Sequence, residues 1–284
     1  MSIDFHIHTT HSDGSFTPAE IISMAKEAGL TAVALTDHNT VSGVPAFMAE
    51  AVGQGITAVA GTELSTTYQG EEIHLLGLFI PEAHYADVEA LMEQYKTYKE
   101  DSNRALIAAL AKGGYTLDYE EMLRKYPDCT INRAHFAREL VASGYVSTIS
   151  EAFDRLLDEK NGYYVPPKQL DLMEAVRFLR SIRAVPVWAH SLQFLDEATV
   201  RDFLPAIIEA GLLGMEVQHS SYDEATVLRA KAIADEFGLL YSGGSDFHGK
   251  AKPTVKLGVG SKNGTEPNIP NEYYETLRRA AENI

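Results

Sequence analysis

Six of the ten histidines in this chain occupy one kind of place, on or directly after a short apolar run that reads as a β-strand. His6 and His8 leave the run Ile3–His8, Asp37 and His38 follow Thr31–Leu35, and Glu63 follows Ile56–Ala60. His74 lies within Ile73–Phe79, His190 follows Ala184–Ala189, and Asp246 with His248 follows Leu239–Ser242. A β/α barrel is the fold that collects the carboxyl ends of its strands at a single mouth and builds its site there. Helical patterns fall between the strands. Thr17-Pro18-Ala19-Glu20 offers a capping box with proline at the first helical position, and Gly29 stops the helix it opens. Pro45–Val52, Ala198–Ala210 and Glu224–Phe237 read as further helices, and Leu213–Val217 as another strand. This alternation predicts parallel strands joined by crossover helices. Thr66–Tyr68 and Ile73–Phe79, on either side of Gln69-Gly70, form either a hairpin or consecutive barrel strands.

From about Asp87 to Arg180 the strand signal fades, and helical patterns cover Val88–Leu110, Asn132–Ala142 and Ser150–Leu157. The expected organisation is therefore a discontinuous barrel, residues 1–100 and 169–284, with a mainly helical cap inserted at 101–168. Gly258–Pro270 reads as loop before a last helix at Tyr273–Glu282.

The formal net charge of -16 disfavours long duplex nucleic acid as a partner, unless basic residues are concentrated locally. Residues 101–168 hold nine Lys/Arg against ten Asp/Glu, a net of -1 that leaves -15 for the rest, so phosphate-holding cations are expected in the inserted segment. No apolar run reaches 18 residues and no secretion signal opens the chain, so a cytoplasmic protein without membrane contact is expected. The single cysteine, Cys129, has no partner for a disulfide or a CxxC motif.

Alternate residues of a strand share a face, so His6 and His8 can turn both imidazoles toward one ion. The mixture of imidazole and carboxylate donors suits manganese, zinc or iron, and the scarcity of cysteine argues against a purely structural zinc site.

Asp4-Phe5-His6-Ile7-His8, followed by Ser12-Asp13-Gly14, resembles the opening motif of the polymerase-and-histidinol-phosphatase (PHP) family. Leu35-Thr36-Asp37-His38, Gly61-Thr62-Glu63, Glu72-Ile73-His74-Leu75-Leu76-Gly77, Trp188-Ala189-His190 and Gly244-Ser245-Asp246-Phe247-His248 resemble its later motifs, in order along nearly the whole chain. The resemblance implies an α/β fold, a distorted (β/α)7-type barrel, and a metal-dependent phosphoesterase acting on a small phosphorylated substrate. It implies that His6, His8, Glu63 and Asp246 hold a first ion and that Glu63 bridges to a second, held with His74 and His190. Asp13, His38 and His248 would hold a third. Two or three divalent ions are thus expected, manganese by preference, with zinc or iron as alternatives. The implied chemistry is attack on phosphorus by a metal-bridging hydroxide, without a protein nucleophile. Glu63 and Asp13 would serve catalysis as ion-holding carboxylates, and His190 or His248 would assist the leaving group where not committed as ligands.

Asn132-Arg133-Ala134-His135-Phe136-Ala137-Arg138 resembles the cap motif of the subgroup that includes a phosphatase of 3′,5′-nucleoside bisphosphates. Where that subgroup often continues its fifth motif as His-Pro-Gly-Arg, this chain has His190-Ser191-Leu192-Gln193, so a cation is missing. Arg133 and Lys168 are the candidate replacements, with His135 and Tyr164 as further candidate substrate contacts. Glu216, on a strand, is placed to orient a metal ligand, while His219 and His11 are loop histidines with a weaker claim on the site. Cyclic phosphodiesters, sugar phosphates, histidinol phosphate and oligonucleotide ends are alternative substrates. An amidohydrolase or a non-catalytic metal-dependent sensor is the alternative class.

Overall fold

The computed structural model describes residues 2–126 and 131–284, so Cys129 lies outside the described residues. The chain divides into two compact units, Met1–Met92 with Leu170–Ile284, and Glu93–Gln169.

The first unit carries seven strands: β1 (Ser2–Asp4), β2 (Leu30–Leu35), β3 (Thr57–Tyr68), β4 (Glu71–Leu78), β5 (Val185–Trp188), β6 (Gly214–His219) and β7 (Leu240–Gly244), hydrogen-bonded in that order. β2, β5 and β6 are almost wholly buried, as strands with covered faces must be, which accounts for their unbroken apolar character. The ring closes through backbone bonds that lie mostly beyond the regular strands: Phe5 N–H donates to Gly243 O at 3.1 Å, His8 N–H to Phe247 O at 2.9 Å, and Asp246 N–H to His6 O at 2.9 Å. The result is a mixed α/β fold whose seven-stranded sheet is nearly closed into a barrel.

Of the two arrangements left open for Thr66–Tyr68 and Ile73–Phe79, the hairpin holds: Ile56–Ala60 and Thr66–Tyr68 belong to one long strand, β3, and β4 runs antiparallel to both β3 and β5. The turn chemistry decides this: Gln69 and Gly70 both have positive φ (51° and 89°), the conformation of a two-residue hairpin loop. β1 is also shorter than the run Ile3–His8, so His6 and His8 stand just past its end.

Helices α1 (Pro18–Glu27) and α2 (Val44–Ala51) follow β1 and β2. α1 opens on the expected box, with Thr17 N–H donating to Glu20 Oε2 at 2.8 Å and Glu20 N–H to Thr17 Oγ1 at 3.3 Å, and it buries Ile21, Ile22 and Ala25. Helix α3 (Tyr85–Lys112) runs through the boundary at Met92/Glu93. The second unit continues with α4 (Tyr119–Lys125), α5 (Arg133–Ala142) and α6 (Ile149–Ala152), the last followed by a π-helical turn over Phe153–Leu157. Leu106, Leu110, Met122, Phe136, Leu140, Leu156 and Leu157 form a core belonging to this unit. The first unit resumes with α7 (Leu172–Ser181), α8 (Ser191–Phe194), α9 (Glu197–Ala210), α10 (Glu224–Phe237) and α11 (Asn271–Glu282). Among the described residues no helix is long and apolar enough to cross a membrane.

Candidate metal centre

Glu63 sits at the middle of the barrel mouth, 1% exposed, with five imidazoles around its two oxygens. His74 Nδ1 and His190 Nε2 lie 2.9 and 3.0 Å from Oε1. His6 Nε2, His8 Nε2 and His38 Nδ1 lie 3.1, 3.1 and 3.2 Å from Oε2. The backbone holds Glu63 in place from the end of β2, since its N–H donates to Asp37 O at 3.1 Å and its O accepts from Asn39 N–H at 2.9 Å. Asp246 closes the same group, its Oδ1 3.3 Å from His8 Nε2 and 3.6 Å from His6 Nε2. Asp13 approaches from the other side, 3.2 Å from His248 Nε2, 3.6 Å from His8 Nδ1 and 3.9 Å from His38 Nε2.

Four sets of donor atoms converge closely enough to hold an ion among the described residues: His6, His8, Glu63 and Asp246; His8, Asp13, His38 and His248; His38, Glu63 and His74; and His6, Glu216 and His219. The chemistry of their atoms fits a cation. His6 Nε2, both ring nitrogens of His8, His38 Nδ1 and Glu63 Oε2 are buried without a hydrogen-bond partner. Buried polar atoms normally find one, and lone pairs gathered this tightly are satisfied together by positive charge.

The outer contacts set which ring nitrogens can serve. Glu216, fully buried, lies 3.2 Å from His6 Nδ1 through Oε1 and accepts the His190 N–H at 2.8 Å through Oε2. A proton on Nδ1 of His6 leaves Nε2 as a lone pair aimed at Glu63. His248 Nδ1 likewise donates to Asp246 O at 2.9 Å, freeing Nε2 to face Asp13. His219 Nδ1 meets Ser221 Oγ at 2.7 Å and Ser221 N–H at 3.2 Å, while its Nε2, 3.4 Å from Asp246 Oδ2, is buried without a hydrogen-bond partner. His219 Nε2 is thus in the same unpartnered state as His6 Nε2 and His38 Nδ1. Asp37, grouped with His38 in the sequence, organises the first loop instead, accepting from Thr9 N–H at 2.7 Å, Thr9 Oγ1 at 2.6 Å and Ser12 Oγ at 2.6 Å. His190, Asn39 and Asp246, all beside the centre, have positive φ (29°, 56° and 57°).

Residues 4–165 match the PHP domain model. The chain belongs to the PHP domain family. It is 31% identical to a 3′,5′-nucleoside bisphosphate phosphatase of Chromobacterium violaceum, an alignment covering 87% of each chain. It is 30% identical to a 5′-3′ exoribonuclease of Haemophilus influenzae over 86% of this chain and 89% of that one. A Bifidobacterium adolescentis protein assigned as a metal-dependent phosphoesterase superposes with a TM-score of 0.69 at 26% identity, covering 98% of this chain and 96% of that one. This PHP protein is a metal-dependent phosphoesterase with His/Asp/Glu clusters capable of binding metals.

The proton affinities of the PHP centre follow from crowding. Burial would push the Glu63 carboxyl up, but His6, His190 and His74 outweigh it and hold the group well below its usual range. Asp246 is held low in the same way, against burial, chiefly by His6, His219 and His8. Burial pushes His38 down to about 4. For His74 burial acts downward too, yet hydrogen bonding to Glu63 and Glu72 raises the ring to about 9.

All nine residues named as ligands from the sequence of this PHP protein lie in the first unit, gathered by the contacts above. The four expected substrate contacts lie in the second unit and are described within it. Arg133 packs over the Tyr164 ring at 4.6 Å and the Phe153 ring at 5.8 Å. Lys168 lies over Tyr95 and Tyr98 at 5.7 and 5.6 Å. His135 is largely buried, and its Nδ1 accepts the Asn132 N–H at 3.1 Å in a cap at the start of α5. Sequence reasoning missed Lys252, whose Nζ lies 2.5 Å from Asp246 Oδ2. The only signal for it was a second lysine in Gly249-Lys250-Ala251-Lys252, directly after the last motif.

Proposed function

We propose that the chain hydrolyses a phosphate ester of a small nucleotide, with a 3′,5′-nucleoside bisphosphate as the favoured substrate and manganese as the favoured ion. The carrying observation is Glu63, a buried carboxylate that commits Oε1 to His74 and His190 and Oε2 to His6, His8 and His38. One side chain is thereby shared by two ion-holding groups. Bound divalent ions supply Lewis acidity and neutralise phosphoryl charge, worth several kcal/mol of transition-state stabilisation.

The chain's own residues supply the rest. His6, His8, Glu63 and Asp246 hold one ion; His74 and His190 hold a second through Glu63; Asp13, His38 and His248 hold a third. Glu216 fixes the His6 tautomer and the His190 backbone. His248 donates through Nδ1 to Asp246 O, so its Nε2 lone pair faces Asp13, and His190 or His248 serves the leaving group only where it is not committed as a ligand. Lys252 supplies positive charge for substrate phosphates, and Arg133 and Lys168 are the candidate phosphate contacts within the second unit. The nucleotide assignment is supported by the Asn132–Arg138 motif and by the names of the phosphatase and exoribonuclease relatives.

The test is release of inorganic phosphate by the manganese-reconstituted enzyme from 3′,5′-adenosine bisphosphate, AMP, histidinol phosphate and a cyclic phosphodiester, with a chelated control. Selective, chelator-sensitive release from the bisphosphate is expected. Preference for another compound redirects the substrate. Inactivity on all four by a protein shown to hold its metals refutes the assignment.

A further inference from the structure

Phe194 ends the short helix α8, directly after the motif in which Gln193 stands where the resembled subgroup often carries arginine. Its side chain is 71% exposed, and it is the only exposed phenylalanine, tyrosine or tryptophan among the described residues. Single apolar side chains at a surface are ordinary. This one, however, stands edge-on to His190, ring centroids 5.8 Å apart and planes at 87°, and His190 is itself 3.0 Å from Glu63. An open aromatic ring thus lies one ring contact from the metal centre.

We infer that Phe194 is the stacking platform for the nucleobase of the substrate, an inference that rests on the nucleotide reading above. In a nucleotide the base and the phosphorus are separated by one ribose. With phosphorus at the Glu63 cluster, the base must come down close by, and Phe194 is the apolar π surface in that unit left uncovered there. Stacking is tolerant of base identity because every base presents a π face. It also supplies affinity without charge, which suits a motif that has exchanged its cation for Gln193.

The test is steady-state kinetics of the manganese-loaded enzyme and its Phe194→Ala, Phe194→Leu and Phe194→Trp variants on whichever nucleotide of the panel is turned over fastest, with inorganic phosphate as a base-free competitive inhibitor. Loss of one base–aromatic stack corresponds to roughly a 5- to 150-fold rise in KM for the alanine variant. The leucine variant should behave similarly, since it keeps apolar bulk without the π face, while kcat stays within about twofold because the lost contact is equal in ground and transition states. The tryptophan variant should keep the wild-type KM, and the inhibition constant of phosphate should not move. An unchanged KM in the alanine variant, or a phosphate inhibition constant that weakens in step with KM, overturns the inference, the latter because it would show the ring acting through His190. Those results leave the nucleotide reading standing. A wild-type enzyme that turns over none of the nucleotides overturns both.

Discussion

Replacing Glu216 by glutamine tests how the centre selects its ligand atoms, because the change is nearly isosteric and the residue is fully buried. The carboxylate accepts on both oxygens, from His190 N–H at 2.8 Å and from the His6 ring at 3.2 Å. Glutamine keeps one acceptor and turns the other into a donor. If its oxygen stays with the His190 N–H, its NH2 faces His6 Nδ1, which must then give up its proton. The neutral ring moves that proton to Nε2, the atom that faces Glu63 Oε2 at 3.1 Å, and His6 is lost as a ligand. If the amide flips, the His190 N–H is left buried without an acceptor. Either choice costs about 1–3 kcal/mol, equivalent to about 5- to 150-fold in affinity for the ion beside His6. The range agrees with the roughly 10- to 100-fold losses typical when partners of metal ligands are changed. Competition with a chromophoric chelator measures the affinity, and circular dichroism checks that the variant is folded. A folded Glu216→Gln protein that binds its tightest ion as the wild type does would refute the tautomer argument.

Three further outcomes are expected. Glu63→Ala should remove two ions together while sparing the set formed by His8, Asp13, His38 and His248, so elemental analysis giving near-normal metal content contradicts the shared-ligand assignment. Asp4→Asn should destabilise the fold by about 1–3 kcal/mol, because the buried carboxylate accepts from His6 N–H (3.2 Å), Ser245 N–H (2.9 Å), Ser245 Oγ (2.5 Å) and Gly258 N–H (2.7 Å) and the amide must present its NH2 to some of them; an unaltered melting temperature argues otherwise. The His74 ring, raised from 6.5 to about 9 by Glu63 and Glu72 against its burial, contributes stability to the metal-free protein that is complete below pH 6.5 and lost as the pH rises through 9. Metal must displace that proton. Calorimetry in buffers of different ionisation enthalpy should therefore detect proton release on metal binding at pH 7 to 8, and finding none would remove His74 from the ligand set.

The part of the centre legible in the sequence is the part set by chain-local geometry. His6-x-His8 declares a shared face through the period of two, and Glu63, His190 and Asp246 declare themselves by following apolar strands. What was not legible depends on registers between distant segments. The division of Glu63 between two groups of imidazoles requires β4 to run antiparallel, with Ser65 opposite His74 and Glu63 opposite Leu76. Gln69-Gly70 pointed to that hairpin, while the surrounding alternation pointed to another parallel strand, and local turn chemistry prevailed. Lys252 was invisible for a related reason: it lies in an irregular loop, where no periodicity says which atom a side chain will meet, whereas His219, read as a loop histidine, ends strand β6. Asp37 had a ligand's position in the sequence, yet the neighbouring hydroxyls of Thr9 and Ser12 claim both its oxygens.

The ring closes between the segment after β1 and the segment after β7, and this has a consequence for biosynthesis. The first motif leaves the ribosome with His6 and His8 in hand, but Asp246, the carboxylate that completes their group, is synthesised some 240 residues later. Until then the two imidazoles have neither that partner nor the backbone bonds from Phe5 and His8 to Gly243 and Phe247. The group of His6, His8, Glu63 and Asp246 is therefore complete only once Asp246 has been made, whereas the set of His38, Glu63 and His74 has all its members within the first 74 residues.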